Sequence, residues 1–255
     1  MAARERALSS WSALAEELDA WREAGRTPEL WWRDDDASAP TPALARLLDA
    51  SRRCGVIVAI AAIGEQAEPA LLEQAACVIL HGCDHRNRAA SGEKKTEFPA
   101  GESDEAALER LRRARRRFAS LAGERFVPVL APPWNRLREA LVPRLREAGL
   151  RGLSRYGARR AARGGGPIEV NTHVDLIAWR RDRRFVGEAE ALALLVDHLR
   201  ARREGTADPR EPTGILTHHA LHDGESWAFL ERLFDETRRG SAAWLDPAQI
   251  FSGRA

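Results

Sequence analysis

Residues 30–37 read LWWRDDDA, an apolar and aromatic-rich run that ends in three consecutive carboxylates, Asp34, Asp35 and Asp36. The apolar part is typical of a buried strand. Neighbouring like charges repel one another, and burying each of them costs several kcal/mol unless something compensates. A metal ion is the commonest compensator for such a cluster. The stretch therefore predicts a buried strand whose carboxyl end carries a metal site.

Short apolar runs alternate with helical patterns along the whole chain. Repeated alternation predicts a mainly parallel sheet with helices outside it, in either an open doubly wound sheet or a barrel. Polar segments at 86–102, 157–166 and 205–212 are predicted to be surface loops. Strands are predicted at 30–33, 56–60, 77–80, 126–130, 152–156, 168–172, 214–217 and 242–245. Helices are predicted at 42–53, 68–76, 104–121, 137–148, 188–203 and 225–238.

Composition is that of an ordinary globular protein, with 44% apolar and 31% charged residues among 255. A formal net charge of +2 gives no global attraction to nucleic acid or to anionic membranes, so neither partner is predicted. Three cysteines, an odd number, argue for a reducing compartment. Residues 1–28 lack the apolar core of a secretory signal and predict a helical extension. We therefore expect one cytoplasmic domain over residues 1–255, without a transmembrane helix.

Polar residues recur where the predicted strands end. In parallel α/β architectures this end of the sheet carries the active site, so we expect these residues to converge. They are Asp35 and Asp36, His81 and His85, residues 132–134, Asp175 and His218.

His81 and His85 lie four residues apart after a predicted strand. If a helical turn begins near Gly82, both imidazoles can face one point. With one carboxylate of the Asp run they would form a two-histidine, one-carboxylate metal site with open positions. The alternative is two solvent-exposed histidines in a polar loop. Cys83 would be a further ligand only if its side chain also turned inward.

The Asp run suits hydrolysis, because one carboxylate can bind a metal while its neighbour accepts a proton from water. Adjacent strand residues point to opposite faces, so two neighbours reach one site only at a twist or bulge. The alternative is a helix N-cap cluster, although capping needs one carboxylate rather than three.

The remaining candidates also have structural alternatives. His218 could protonate a leaving group, with Asp175 holding it in one tautomer, or it could be a histidine bonded only to backbone atoms. Pro133 and Trp134 belong to a rigid extended segment. There Trp134 could floor a sugar-binding groove, offer its backbone N–H to an oxyanion, or simply pack at the rim of a barrel.

The order of these motifs resembles the polysaccharide deacetylases, the NodB-homology group of carbohydrate esterase family four. The resemblance covers residues 30–220 and implies a distorted (β/α) barrel of about seven strands, related to the TIM barrel. The family pattern T-F-D-D-G is similar to residues 33–37, H-[S/T]-x-x-H to 81–85, R-x-P-[Y/W] to 131–134, D-x-x-D-W to 175–179 and L-x-H to 216–218.

The resemblance also implies roles for individual residues. Asp35 would be the base that activates water, and His218 the acid, oriented by Asp175. Asp34 is a further candidate for tuning the site, and a one-residue slip, which would move both Asp roles to Asp34 and Asp35, stays open. The implied cofactor is a divalent metal, often Zn²⁺, with Co²⁺, Mn²⁺ or Ni²⁺ as alternatives. Its implied ligands are Asp36, His81 and His85.

Three departures from the family pattern concern the surroundings of these residues. The family's third-motif arginine, which pairs with the base, falls on Ala131, and Arg136 or Arg33 is the candidate substitute. Ala178 replaces the second acid of the fourth motif. His219 stands where the family has an aspartate after its fifth-motif histidine.

The leading hypothesis is a metal-dependent deacetylase that hydrolyses an N-acetyl or O-acetyl group on a carbohydrate or on a related small acylated substrate. The first alternative is a non-catalytic carbohydrate-binding protein on the same barrel, which the three departures motivate. The second is another metal-dependent amide hydrolase.

Overall fold

A computed structural model describes residues 10–159 and 166–252 of the chain. In these residues nine parallel strands form one curled sheet in the order β6-β5-β4-β3-β2-β1-β8-β7, and β9 pairs with β1. The architecture is a distorted (β/α) barrel and confirms the predicted fold class. The strands are β1 Glu29–Ala37, β2 Val58–Ala62, β3 Cys77–Leu80, β4 Phe126–Leu130, β5 Gly152–Leu153, β6 Ile168–Glu169, β7 Val174–Asp175, β8 Thr213–Thr217 and β9 Ala243–Trp244.

Helices cover the outer face of this sheet. The first begins at a serine N-cap and packs on α5, where Trp21 Nε1 donates to the carbonyl of Leu199 at 3.3 Å. It forms the described part of the predicted N-terminal extension, and residues 1–9 lie outside the described residues. The helices are α1 Trp11–Glu23, α2 Pro42–Cys54, α3 Pro69–Gln74, α4 Asp104–Ala122, α5 Glu188–Glu204, α6 Gly224–Arg239 and α7 Pro247–Ile250. None of those described is long and apolar enough to cross a membrane.

The predicted helix at 137–148 is wrong. Two short 3₁₀ turns, Glu139–Leu141 and Leu145–Ala148, occupy this segment. Pro143 lies between them; it has no N–H to donate, and its ring would clash with the carbonyl four residues earlier in a continuous helix. The strand β7 was not predicted, because two residues are too short to give a periodic pattern.

The central strand β1 is covered on both faces. Its side chains point alternately to the two faces and so contribute to two separate hydrophobic clusters. Trp31 packs on the inner face of the sheet, with Phe251 at 5.8 Å between ring centroids. Trp32 packs on the outer face under α6, against Phe234. Since side chains alternate along a strand, Arg33 shares the inner face with Trp31. The strand that ends in the Asp run therefore delivers polar groups to both sides of the sheet.

Candidate metal centre and active site

The end of β1 is bulged. Its pairing with β2 shifts register between Asp34 and Ala37, and Asp36 has a φ of +68°, in the left-handed region. Aspartate tolerates this conformation better than most residues, since its short side chain can bond locally. The bulge confirms the predicted irregularity, and it lets two adjacent carboxylates, Asp35 and Asp36, approach the same imidazole.

Asp36 lies between the two histidines of the predicted metal site. Its Oδ1 is 3.0 Å from His81 Nε2 and 3.1 Å from His85 Nε2. His81 follows β3, and a φ of +57° at His85 curls the chain back toward the same point. The ligand atoms of all three residues lie within 4.8 Å of one another. The structure thus places Asp36, rather than Asp34, beside the histidines.

The electrostatics of this cluster suit a cation. Burial alone would raise the pKa of Asp36, but hydrogen bonds from His81 and His85 bring it well below its usual range, so the carboxylate stays charged. The buried Nδ1 of His81 has no hydrogen-bond partner among the described residues and lies 4.0 Å from Asp35 Oδ2. If Nε2 binds a metal, Nδ1 carries the ring proton and faces that carboxylate, as outer-shell acids do for metal-binding histidines. The donor set therefore fits a divalent ion.

Asp35 is paired with an arginine of its own strand. Arg33 and Asp35 are two residues apart on the inner face, and both are buried, at 0% and 2% exposure. Arg33 Nη2 donates to Asp35 Oδ2 at 2.9 Å, and Arg33 Nε lies 2.9 Å from Asp35 Oδ1 in an ion pair without good hydrogen-bond alignment. The guanidinium thus meets both oxygens of the carboxylate.

The rest of the Arg33 guanidinium is held by two neighbouring loops. Its Nη1 donates to the carbonyl and hydroxyl oxygens of Ser154, at 3.0 and 2.7 Å, and its Nη2 donates to Asn135 Oδ1 at 2.8 Å. Arg136, the other candidate substitute, is exposed, and its Nη1 donates to the carbonyl of Lys95 at 2.9 Å. Of these two candidate arginines, Arg33 is therefore the one that pairs with Asp35.

Asp34 points to the opposite side of β1. It is fully buried and accepts hydrogen bonds from Thr217 Oγ1 at 2.7 Å and from the backbone N–H of His219 at 2.9 Å. His219 Nδ1 lies 2.5 Å from the other carboxylate oxygen. Burial would raise the pKa of Asp34, but the contact with His219 outweighs burial and lowers this pKa. Burial would lower the pKa of His219, but the contact with Asp34 outweighs burial and raises it. Asp34 anchors the segment that carries His218.

His218 and Asp175 lie at the ends of neighbouring strands, β8 and β7. Both oxygens of Asp175 are occupied, by Trp179 Nε1 at 2.8 Å and by the N–H of Ile177 at 3.0 Å, and burial raises the pKa of this carboxyl. Trp179 also meets the ring of His218 edge to face, with 4.7 Å between centroids. In the described residues Asp175 therefore makes no direct hydrogen bond to His218. The indole of Trp179 lies between them and contacts both.

Trp134 lies beside the candidate metal-binding residues and has an unusual backbone conformation. Its φ is +55°, and its indole lies 4.7 Å from the ring of His85. A left-handed conformation at a bulky residue is strained and is found most often at functional sites. No described group accepts a hydrogen bond from its backbone N–H. Pro133, the preceding residue, packs against the bare face of Gly82 in the histidine turn.

A second group of potential metal ligands lies near the start of β8, at the opposite end of the barrel. It consists of His173, His198 and Glu211. His173 Nδ1 accepts the N–H of Gly214 at 3.1 Å, so the neutral ring carries its proton on Nε2, the atom that faces Glu211. The rings of His173 and His198 are stacked 3.5 Å apart and only 17° from parallel, so their lone pairs do not converge. We interpret this group as a structural cluster.

Sequence reasoning missed three contributors to the site: Ser154, Asn135 and Glu97. The loop at 86–102 was predicted to lie on the surface, yet Glu97 and Phe98 within it are buried, at 0% and 1% exposure. The pairing of Arg33 with Asp35 could have been predicted from the sequence, because residues two apart in a strand share a face. Cys83 is buried against the apolar core and does not join the group formed by Asp36, His81 and His85, so it is not placed to act as a ligand.

No protein-family model matches the sequence, and no curated protein matches it. Solved structures do share its fold. The peptidoglycan N-acetylglucosamine deacetylase Bc1960 aligns with a TM-score of 0.58 and 15% identity over 91% of this chain and 95% of its own. A family 4 acetyl xylan esterase from Clostridium thermocellum, in complex with a cobalt ion, aligns with a TM-score of 0.53 and 12% identity over 88% and 90%.

A third structure is a family 4 pseudoenzyme from Bacillus anthracis, BA3943, with a TM-score of 0.57 and 13% identity over 89% of this chain and 66% of its own. A mutant of that pseudoenzyme is described as having restored enzymatic activity. Together these similarities confirm that the chain has the fold of the polysaccharide deacetylases of carbohydrate esterase family four, at a low level of sequence identity.

Proposed function

We propose that the chain is a metal-dependent deacetylase that hydrolyses an N-acetyl or O-acetyl group on a carbohydrate or a related small acylated substrate. The observation that carries this proposal is the pairing of two adjacent carboxylates with different partners. Asp36 meets two imidazole nitrogens at 3.0 and 3.1 Å, while Asp35 is held by the guanidinium of Arg33. One carboxylate is arranged as a ligand and its neighbour as a base.

Asp36, His81 and His85 would hold the ion, for which Zn²⁺, Co²⁺, Mn²⁺ and Ni²⁺ are candidates. Such an ion, when bound, polarises the acyl carbonyl and lowers the pKa of water toward neutrality. Asp35 then accepts a proton from the attacking water. Arg33 restrains the orientation of this carboxylate, since it donates a hydrogen bond to one oxygen and places its charge beside the other.

The other residues act on the developing charge and on the leaving group. The free N–H of Trp134 is available to donate to the oxyanion, where a fixed donor contributes most in the transition state. His218 donates a proton to the departing amine or alcohol. Asp175 positions His218 through Trp179, to which it is hydrogen-bonded at 2.8 Å.

The names of the solved neighbours support an acetylated carbohydrate as the substrate class, since one is a peptidoglycan N-acetylglucosamine deacetylase and another an acetyl xylan esterase. We further propose a cytoplasmic location, which favours a soluble acetylated sugar over a polymer of the cell wall. Neither nucleic acid nor a membrane is a proposed partner.

A non-catalytic carbohydrate-binding protein is the second candidate. The departures at Ala131, Ala178 and His219 favour it, as does the likeness to a family 4 pseudoenzyme. Arg33 weighs against it, because it restores an arginine partner for Asp35 from within β1.

Measuring both acetate release and the amount of bound metal separates these two candidates. The substrates are N-acetylglucosamine oligomers, acetylated xylan and a nucleotide-linked N-acetyl sugar, each assayed with Zn²⁺ or Co²⁺ and again with a chelator. We expect release that the chelator abolishes. Asp36→Ala should lose both metal and activity, while Asp35→Asn should keep the metal and lose activity.

Asp235→Asn, an exposed carboxylate on α6, is the matched control and should keep both metal and activity. Glycan binding without release under any metal would establish the binding protein instead. Full activity of Asp35→Asn would contradict the proposed base, and stoichiometric metal in Asp36→Ala would contradict the ligand set.

A further inference from the structure

The loop between β3 and α4 sends one carboxylate into the protein interior. Glu97 is fully buried, whereas its neighbours Lys94 and Lys95 are exposed. A buried carboxylate is strongly disfavoured unless hydrogen bonds and opposite charge compensate for the lost water. The partners of Glu97 therefore indicate what this burial achieves.

Those partners are the backbone amides of the histidine turn. Glu97 Oε1 accepts from the N–H of Cys83 at 2.8 Å and of Asp84 at 3.3 Å, and Oε2 accepts from the N–H of His85 at 3.3 Å. Arg110 of α4 donates to Oε1 at 3.0 Å and supplies the opposite charge. Three successive amides thus converge on one carboxylate, in the manner of an anion-binding nest.

The turn itself is shaped around this carboxylate. Gly82 has a φ of +66°, and a Cβ at this position would overlap Glu97 Oε2 and lie 2.6 Å from Pro133 Cδ. Glycine is therefore required both by the backbone and by the space that Glu97 fills. In this chain the glycine and the buried glutamate therefore form a matched pair.

We propose that Glu97 is a positioning residue of the metal centre, which holds the turn from Gly82 to His85 so that His81 and His85 meet Asp36. Among the described residues it makes no hydrogen bond to either imidazole, and it acts through the backbone amides of the turn. This inference rests on the proposed metal-dependent function. Outer-shell partners of metal ligands commonly change metal affinity by about 10–100-fold when they are removed.

A second carboxylate that pairs with Arg110 provides a matched control. Glu102 accepts from Arg110 Nη2 at 2.8 Å but makes no hydrogen bond to the histidine turn in the described residues. Glu102→Gln therefore removes a carboxylate from Arg110 and leaves the amides of the turn untouched. In Glu97→Gln the amide oxygen can still accept from Cys83, but the amide nitrogen then faces the N–H of His85, a donor against a donor.

The experiment measures Co²⁺ affinity of metal-free protein by calorimetry, the visible spectrum of the Co²⁺ form, and urea stability without metal. We expect Glu97→Gln to weaken Co²⁺ binding by about 10–100-fold and to alter the Co²⁺ spectrum. Glu102→Gln should bind Co²⁺ within about threefold of the wild type, less than 1 kcal/mol. Glu97→Ala should show a larger loss, and if it fails to fold, Glu97→Gln carries the test.

A Glu97→Gln protein that loses stability without metal, yet binds Co²⁺ as the wild type does and with the same spectrum, would overturn the positioning role. That outcome would leave the metal site itself intact. Wild-type protein that binds no divalent metal would instead overturn the proposed function, and this inference with it.

Discussion

Replacing Arg33 by methionine is the sharpest test of how Asp35 is held. Both side chains are buried, and Arg33 Nη2 donates to Asp35 Oδ2 at 2.9 Å. Removing one partner of a buried pair leaves an uncompensated charge and typically costs about 3–5 kcal/mol. Ser154 and Asn135 also lose their donors in this variant. We therefore expect Arg33→Met to lower the free energy of unfolding by about 3–5 kcal/mol at neutral pH.

Urea unfolding measures this loss, and a double-mutant cycle with Asp35→Asn isolates the pair. A domain is typically stable by about 5–15 kcal/mol, so the single variant should still fold. Because Asp35→Asn removes the lone charge, the double variant should be more stable than the sum of the two single losses predicts, by about 2–3 kcal/mol. Arg22→Met is the control, since its ion pair with Asp19 is more than half exposed and should contribute less than about 1 kcal/mol.

Two results would refute the reasoning. One is an Arg33→Met protein within about 1 kcal/mol of the wild type, a difference that a surface pair could account for. The other is additive behaviour in the cycle, since independent sites add within about 0.5 kcal/mol. Either would mean that Arg33 does not hold Asp35.

Three further predictions concern the metal, the histidine turn and pH. Metal at 100 times its Kd should raise the free energy of unfolding by about 2.7 kcal/mol, and Asp36→Ala should abolish that increment in urea titrations with and without a chelator. Gly82→Ala, whose Cβ would meet Glu97, should be at least about 1 kcal/mol less stable than Gly92→Ala, where φ is also positive but nothing lies within 4 Å. Burial lowers the pKa of His198 to about 2, so the unfolded chain binds this proton first, and the contribution of His198 to stability should fall below pH 6.5 by up to about 1.4 kcal/mol per pH unit. Urea unfolding between pH 7 and 5 should show a steeper loss of stability in the wild type than in His198→Gln, whereas equal slopes would exclude a contribution from His198.

Most of the fold could be predicted from sequence, because the central strands are fully buried and read as continuous apolar runs. Val58–Ala62 and Cys77–Leu80 have no exposed residue. The failures have local causes. The pattern at 137–148 is amphipathic, but Pro143 interrupts the hydrogen bonding of a helix there. The two-residue strand Val174–Asp175 leaves no periodicity to detect.

The ligand set could be predicted because its spacing is local, whereas its support could not. His81 and His85 belong to one turn, and the structure brings them to Asp36 as expected. The burial of Glu97 depends on Arg110 and on amides 12 to 14 residues away in sequence, at Cys83 to His85. A polar loop gives no sign of such distant partners, so composition alone predicts that its charges are solvated.

The pairing of Arg33 with Asp35 shows how one strand can supply both a buried carboxylate and the cation that meets it. Asp35 needs a buried cation that meets both of its oxygens, and the strand position from which that cation comes is immaterial to the carboxylate. Arg33 lies two residues before Asp35 on the same face of β1, so the strand itself fixes the separation of the pair. Ser154 and Asn135 then use the remaining donors of the guanidinium. A second arginine at Ala131, which is fully buried, would add a charge without a free carboxylate to meet it, so alanine at this position is the natural complement of Arg33.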